Sequence, residues 1–373
     1  MSAEPDRSFS VPLSAGAAAT SGTLPGPAPV RWGVLGASST VARLAVIPAI
    51  QGSPKAELVA TASLTGSHPD GGGRAHATYE GLLDDPDVEA VYIPLPNHLH
   101  RRWTEAAAAA GKHVLCEKPL APSAADAQAM VDAARDAEVL LLEAYMTPFH
   151  PRARALADYV RAGRLGTLRT VHASFGFPLR DAANHRWDPD AGGGALLDVG
   201  VYCLAPILAV AGRPPRRVNA AAVMTESGVD ATFSGWLDFG DGLTGAITCS
   251  FEVPEHQRLS LVGTLGRIDV DTAFTAGPAH GHFDLHIVDG SVEHVDTGGA
   301  DPYRGMVDHF QTVLRGGAPL RRTPAQSVAL LTVMDDLRLA ARPTAAPAIT
   351  GHELAGRPPA EQLPAGQPLA GRP

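Results

Sequence analysis

Residues 30–50, VRWGVLGASSTVARLAVIPAI, contain the turn on which the fold reading rests. Val30–Gly36 is an apolar run of the right length for one buried strand, and Thr40–Ile50 has helical spacing. Between them Gly36, Ala37, Ser38 and Ser39 link strand to helix, where free backbone N–H groups can meet a pyrophosphate. As a dinucleotide fingerprint the turn is degenerate: Gly36 holds, Ser38 stands for the second glycine, and Ala42 for the third. Alone it reads equally well as an ordinary strand-to-helix turn. Its place on the first strand of an alternating segment favours the dinucleotide.

The alternation continues downstream. Leu58–Leu64, Ala90–Leu95, His113–Cys116 and Val139–Tyr145 read as strands, with helical spacing over Tyr79–Leu83, Leu99–Ala110 and Ala124–Ala137. This predicts an α/β Rossmann dinucleotide-binding domain over residues 30–147, with its ligand at the carboxyl ends of parallel strands. After Pro148 the rhythm changes. Arg152–Arg161 and Gly194–Val210 read as helices, and Leu168–Phe177 as a strand. Then come consecutive strands at Arg217–Met224, Ala231–Phe239, Leu243–Phe251 and Arg258–Val262, and a hairpin across Asp289–Gly290. Met306–Leu314 and Ala325–Leu339 close as helices, so residues 148–342 are expected to form an α+β domain with a large, mostly antiparallel sheet. Residues 1–29 and 343–373, rich in Ala, Gly and Pro, read as a disordered leader and tail.

Composition narrows the class. With 45% hydrophobic and 18% charged residues the chain can bury a sizeable core. Its formal net charge of −9 gives no field to hold a nucleic acid, so none is expected as a partner. No apolar run nears the ~20 residues of a membrane span, and no signal-peptide pattern opens the chain. Cys116, Cys203 and Cys249 are scattered, without zinc or disulfide spacing, so a reduced cytoplasmic protein without a metal is expected. Lysine is almost absent: Lys55, Lys112 and Lys118 are all there are.

Several positions carry candidate chemistry. The second strand ends Thr61-Ala62-Ser63-Leu64, without the acid that would hold an NAD ribose. Ser63 can instead bond a 2′-phosphate, with Arg74 or His68 supplying charge, so NADP is expected over NAD. Pro94-Leu95-Pro96-Asn97 stops a strand, and Asn97 can cap the helix after it. His98 and His100 lack a third ligand at metal spacing. Asp198 and Tyr202, four apart in the Gly194–Val210 helix, share a face, and a nearby ammonium would lower the phenol pKa.

The run Tyr92–Asn97, then Gly111-Lys-His-Val-Leu-Cys-Glu-Lys118-Pro-Leu120, resembles the glucose–fructose oxidoreductase / inositol dehydrogenase / MocA family. The likeness continues through Glu143–Met146, Phe149-His150-Pro151 and Gly192–Tyr202, and looks greatest toward dihydrodiol dehydrogenases, D-xylose dehydrogenases and nucleotide-sugar 3-ketoreductases. It implies that Lys118 is the catalytic lysine, Tyr202 the acid/base and Asp198 an orienting group. It also implies dinucleotide contacts from Gly36, Ala37, Ser38, Ser39, Ser63, Leu95, Pro96, Asn97, His100, Glu117, Lys118, Arg186 and Trp187. The implied activity is NAD(P)-dependent hydride transfer on a secondary alcohol or ketone of a sugar-like ring, by a homodimer or homotetramer. The alternatives are a nucleotide-deoxysugar 3-ketoreductase and a catalytically silent dinucleotide sensor. One departure stands out: Thr147-Pro148 replaces the Tyr-Arg of many dihydrodiol and xylose dehydrogenases.

Overall fold

The computed structural model describes residues 28–344. The expected leader and tail lie outside them, apart from Ala28, Pro29, Pro343 and Thr344. Six parallel strands form the first sheet: β1 (Val30–Leu35), β2 (Ala56–Ala62), β3 (Arg74–His76), β4 (Ala90–Ile93), β5 (His113–Cys116) and β6 (Leu141–Glu143). Their order is β3-β2-β1-β4-β5-β6, so chain direction across the sheet reverses between β1 and β4 and leaves a crevice at their carboxyl ends. Between the strands run α1 (Ile47–Gly52), α2 (Tyr79–Leu83), α3 (His100–Ala109) and α4 (Ala124–Asp136). Ser123 starts α4 by accepting from the Asp126 N–H. The expected strands are found, whereas β3 has no apolar run to announce it, because two of its three residues are exposed.

The second sheet follows α5 (Pro151–Arg161) and begins with β7 (Leu168–Gly176). A π-helical turn, Leu196–Gly200, leads into α6 (Val201–Ala211). Then come β8 (Arg217–Met224), β9 (Asp230–Gly240), β10 (Leu243–Ser250), β11 (His256–Gly263), β12 (Gly266–Asp271), β13 (His282–Ile287) and β14 (Val292–Asp296). After α7 (Pro302–Leu314) and α8 (Pro324–Ala340), β15 (Ala341–Thr344) completes a sheet of order β14-β13-β12-β11-β7-β10-β9-β8-β15. It is mostly antiparallel, but β7 and β10 pair in parallel, as do β8 and β15. Alternate residues of β9 and β10, such as Phe233, Leu237, Ile247 and Cys249, point to one buried face.

Both closing helices return to the first sheet's layer. Asp308 on α7 accepts from the Ser53 hydroxyl at 2.5 Å, and Asp335 on α8 accepts from the Ala124 N–H at 2.9 Å. Just before α8, Arg322 donates Nε to Glu143 at 2.9 Å, and Ser327 donates to the same carboxylate at 2.6 Å. The other Glu143 oxygen accepts from the Leu120 N–H at 3.0 Å, which braces the turn after Lys118. Glu143 is 2% exposed, so removing its cation leaves a buried charge unpaired. Arg322→Ala is therefore expected to lower unfolding stability by about 3–5 kcal/mol, read from urea melts. A loss below ~1 kcal/mol, the level of an exposed pair, would remove this brace from the account.

Candidate active site

Lys118 follows β5, and its backbone is set by the residue before it. The Glu117 carboxylate is buried, accepts the Tyr92 hydroxyl at 2.6 Å and the Lys118 N–H at 3.1 Å. Burial pushes the Glu117 pKa up, against the pull of Tyr92 and Lys118. The Lys118–Pro119 peptide is cis. From this turn Nζ crosses to the second layer and donates to the Asp198 carbonyl at 2.7 Å and to its Oδ1 at 3.0 Å. Nζ also lies 4.8 Å from the centre of the Tyr202 ring, over its face.

Asp198 sits in the π-helical turn, a wide winding often found at functional sites. Its second oxygen accepts Arg186 Nε at 2.7 Å. Burial alone would raise this carboxyl, but Arg186 and Lys118 hold it well below the usual carboxylate range. Asp198 is thus an anion shared by two cations. Lys118, Asp198 and Tyr202 come together as expected, and Arg186 joins them through Asp198.

Tyr202 departs from one expectation. Among the described residues its hydroxyl donates to Met146 Sδ alone, at 3.7 Å, and its ring packs 5.5 Å from both Tyr145 and Phe175 and 6.3 Å from Phe274. The ammonium faces the ring and not the oxygen, and burial, reinforced by Tyr303, Glu117 and Asp198, raises the phenol well above its ordinary pKa. The predicted lowering by Lys118 is overturned: desolvation wins. Thr147, where relatives were expected to differ, ties the wall of this nest by donating to the Phe274 carbonyl at 2.8 Å.

The first turn suits a dinucleotide. Gly36 has φ +88°, and a Cβ there would lie 2.7 Å from Leu95 Cδ2, so only glycine brings the turn against the end of β4. The Gly36 and Ala37 amides are both used, donating to the Ala62 carbonyl at 2.9 and 3.0 Å, and Ser39 N–H donates to Gly36 at 3.0 Å. The Ser38 and Ser39 hydroxyls are half-buried and have no hydrogen bond to the described residues, which leaves them to meet a phosphate. Leu95 and Pro96 are half-buried beside the same crevice.

Other expected contacts fall elsewhere. Asn97 does not cap its helix; its side-chain amide donates to the Gly192 carbonyl at 2.8 Å and ties β4 to the loop before Asp198. His100 is fully buried between the Leu95 carbonyl at 2.8 Å and the Pro119 carbonyl at 3.0 Å, so it holds the turns and cannot meet a dinucleotide. Glu117, buried with both oxygens engaged, is likewise a brace. Trp187 packs edge-on against Phe251 at 5.3 Å. Ser63 is 2% exposed, 3.0 Å from the Thr65 hydroxyl. Arg74 is paired with Asp85 and Asp87, so its charge is already shared, and His68 bonds the Thr61 hydroxyl at 2.9 Å. Sequence reasoning missed the Arg186–Asp198 pair and the Met146 contact. Arg186 and Asp198 are 12 residues apart, and no spacing rule links them.

No group of His, Cys, Asp and Glu fit to hold a metal occurs among the described residues, and no described helix is long and apolar enough to cross a membrane. Residues 30–145 match a family described as oxidoreductase, NAD-binding Rossmann fold, and residues 153–269 match the GFO/IDH/MocA C-terminal domain. D-xylose 1-dehydrogenase (NADP(+)) 2 of Haloferax volcanii is 36% identical, over 84% of this chain and 98% of that protein. Trans-1,2-dihydrobenzene-1,2-diol dehydrogenase of Sus scrofa is 33% identical, over 72% of this chain and 82% of its own. The crystal structure of KijD10, a 3-ketoreductase from Actinomadura kijaniata in complex with NADP and TDP-benzene, superposes with a TM-score of 0.79. Its identity is 30%, covering 86% of this chain and all of KijD10.

Proposed function

The chain belongs to the GFO/IDH/MocA oxidoreductase family, and within it we propose hydride transfer between NADP(H) and a secondary alcohol or ketone of a sugar-like ring. The observation that carries the proposal is the Lys118 ammonium, 12% exposed, fixed between Asp198 and the face of Tyr202. A bound nicotinamide supplies or takes the hydride. Ser38 and Ser39 hold its phosphates, with Leu95 and Pro96 along the crevice. Lys118 hydrogen-bonds the reacting oxygen and stabilises its alkoxide character. Tyr202, kept protonated by burial, gives its proton to that oxygen when a carbonyl is reduced. Asp198 fixes the lysine, and Arg186 keeps Asp198 ionised.

A second reading, 3-ketoreduction of a nucleotide-linked deoxysugar, is supported by the likeness to the 3-ketoreductase KijD10 over 86% of this chain. A silent sensor has no need of the Lys118–Asp198–Tyr202 arrangement. Nicotinamide absorbance, followed over a panel of D-xylose, other aldoses, dihydrodiols and dTDP-linked ketosugars, separates the readings. Turnover of none of them would leave the sensor. The outer face of the nine-stranded sheet, where Trp236 is 41% exposed, is the face on which we place the contact between two copies.

NADPH is expected to be preferred over NADH, because β2 ends at Ala62-Ser63 without a carboxylate. The relatives named with NADP support the same choice. Like charges at an interface cost on the order of a few kcal/mol, so Ser63→Asp is expected to shift the NADPH:NADH ratio of kcat/KM toward NADH by at least about tenfold. Several-fold preference of the unaltered enzyme for NADH would end this assignment.

A further inference from the structure

The turn that carries Asp198 opens without a cap of its own: Ala195, which precedes it, offers no side-chain acceptor. The opening amides of a helix have no partner within it. Here the partner comes from another strand. Asp230, first residue of β9, accepts the Leu196 N–H through Oδ2 at 2.7 Å, with the Ala195 amide beside it. Gly194 permits this approach. Its φ is +107°, and a Cβ there would lie 2.3 Å from Asp230 Oδ1. The same carboxylate lines a cavity of about 280 Å³ with Gly193, Leu197 and Arg338.

We propose that Asp230 is a positioning residue, which orients Asp198, and through it Lys118, by holding the first turn of the catalytic helix. The inference rests on the hydride-transfer reading of Lys118. The link is short. Asp230 bonds the amide two residues before Asp198, and Lys118 Nζ bonds both the carbonyl and the carboxylate of Asp198. A shift of the turn therefore moves both acceptors of the ammonium together.

The environment of Asp230 makes this hold pH-sensitive. Burial raises its pKa to about 6, opposed by the Leu196 amide and Arg338. The charged and titratable groups facing it are Arg338 from α8, itself paired with Asp335, and the Cys249 thiol from β10. Asp198 keeps its charge through the same range, because Arg186 and Lys118 hold its pKa down. As pH falls through about 6, Asp230 takes a proton and its grip on the amides weakens while Asp198 stays ionised.

The test uses the full chain with labelled lysine, whose three signals come from Lys55, Lys112 and Lys118. In the wild type the Lys118 signal is expected to move with a midpoint near pH 6, and kcat to fall over the same range. Asp230→Asn removes the charge, and Gly194→Ala pushes the intact carboxylate away. Both are expected to flatten the response of the Lys118 signal to Asp230 protonation and lower kcat by about 10- to 100-fold, as misplaced catalytic groups do. NADPH affinity, read by fluorescence, stays within about twofold, since neither residue lines the crevice. Circular dichroism confirms that each variant is folded, and either variant suffices. A wild-type Lys118 signal that is flat from about pH 5 to 7, or variants with wild-type titration and kcat, would overturn the proposal. Should no sugar be turned over, the hydride-transfer reading fails by itself, and the Lys118 titration still decides the role of Asp230.

Discussion

Lys118→Met is expected to lower kcat by about 10²–10³-fold or more, the usual cost of losing one donor to a developing oxyanion. Methionine keeps the length and apolar stem of lysine. Asp198 keeps Arg186 Nε at 2.7 Å, so its charge is not orphaned by the change. The backbone of the turn is held by hydrogen bonds to Glu117 and, through Leu120, to Glu143, and neither bond is made by the ammonium. The variant is therefore expected to fold and to bind NADPH with little loss. Steady-state kinetics beside a fluorescence titration of NADPH checks both halves. Near-wild-type turnover would show that another group stabilises the reacting oxygen.

Tyr202→Phe is expected to lower kcat by about 10²–10⁴-fold, the range for a general acid. Stability is expected to change little, because the hydrogen bond lost among the described residues is to Met146 Sδ, a weak acceptor at 3.7 Å. The pH profile carries the sharper test. A phenol raised by burial stays protonated beyond its ordinary range, so the wild-type rate of ketone reduction is expected to hold through neutral pH and, apart from the acid limb set by Asp230 near pH 6, to fall on the alkaline side. That alkaline limb should vanish in the variant. A full-rate variant with an unchanged profile would move the proton to Lys118 or Asp198.

Much of this was legible in the sequence, for definite reasons. The inner strands of the first sheet are buried on both faces, so they stand out as continuous apolar runs, as in His113–Cys116. The alternation along β9 gave its strand just as directly. Lys118 was legible because it follows a strand within Glu117–Pro119 in a chain that nearly lacks lysine. What stayed hidden depends on pairings that no local pattern encodes. The exposed β3 and the parallel β15 are strands only because a neighbour's edge accepts them. Asn97 has the chemistry of a cap, yet a carbonyl from the second layer claims its amide. The phenol of Tyr202 was misjudged because the ring face and the hydroxyl meet different surroundings, a matter of orientation alone. Asp230 and Leu196 lie in different elements, and only the folded sheet brings them together.

The return of α7 and α8 to the first layer has an architectural consequence. Eight of the nine strands of the second sheet are spliced into the middle of the nucleotide-side module, whose covering helices, with β15 after them, are completed by the last stretch of described chain. A chimera that exchanges the substrate sheet for another must therefore cut the chain twice, once before α5 and once before α7. A single cut near residue 148 would strip Ser53 and Ala124 of their partners and Glu143 of its cation. Modular exchange in this architecture is an insertion, with two scars, and never a simple end-to-end fusion.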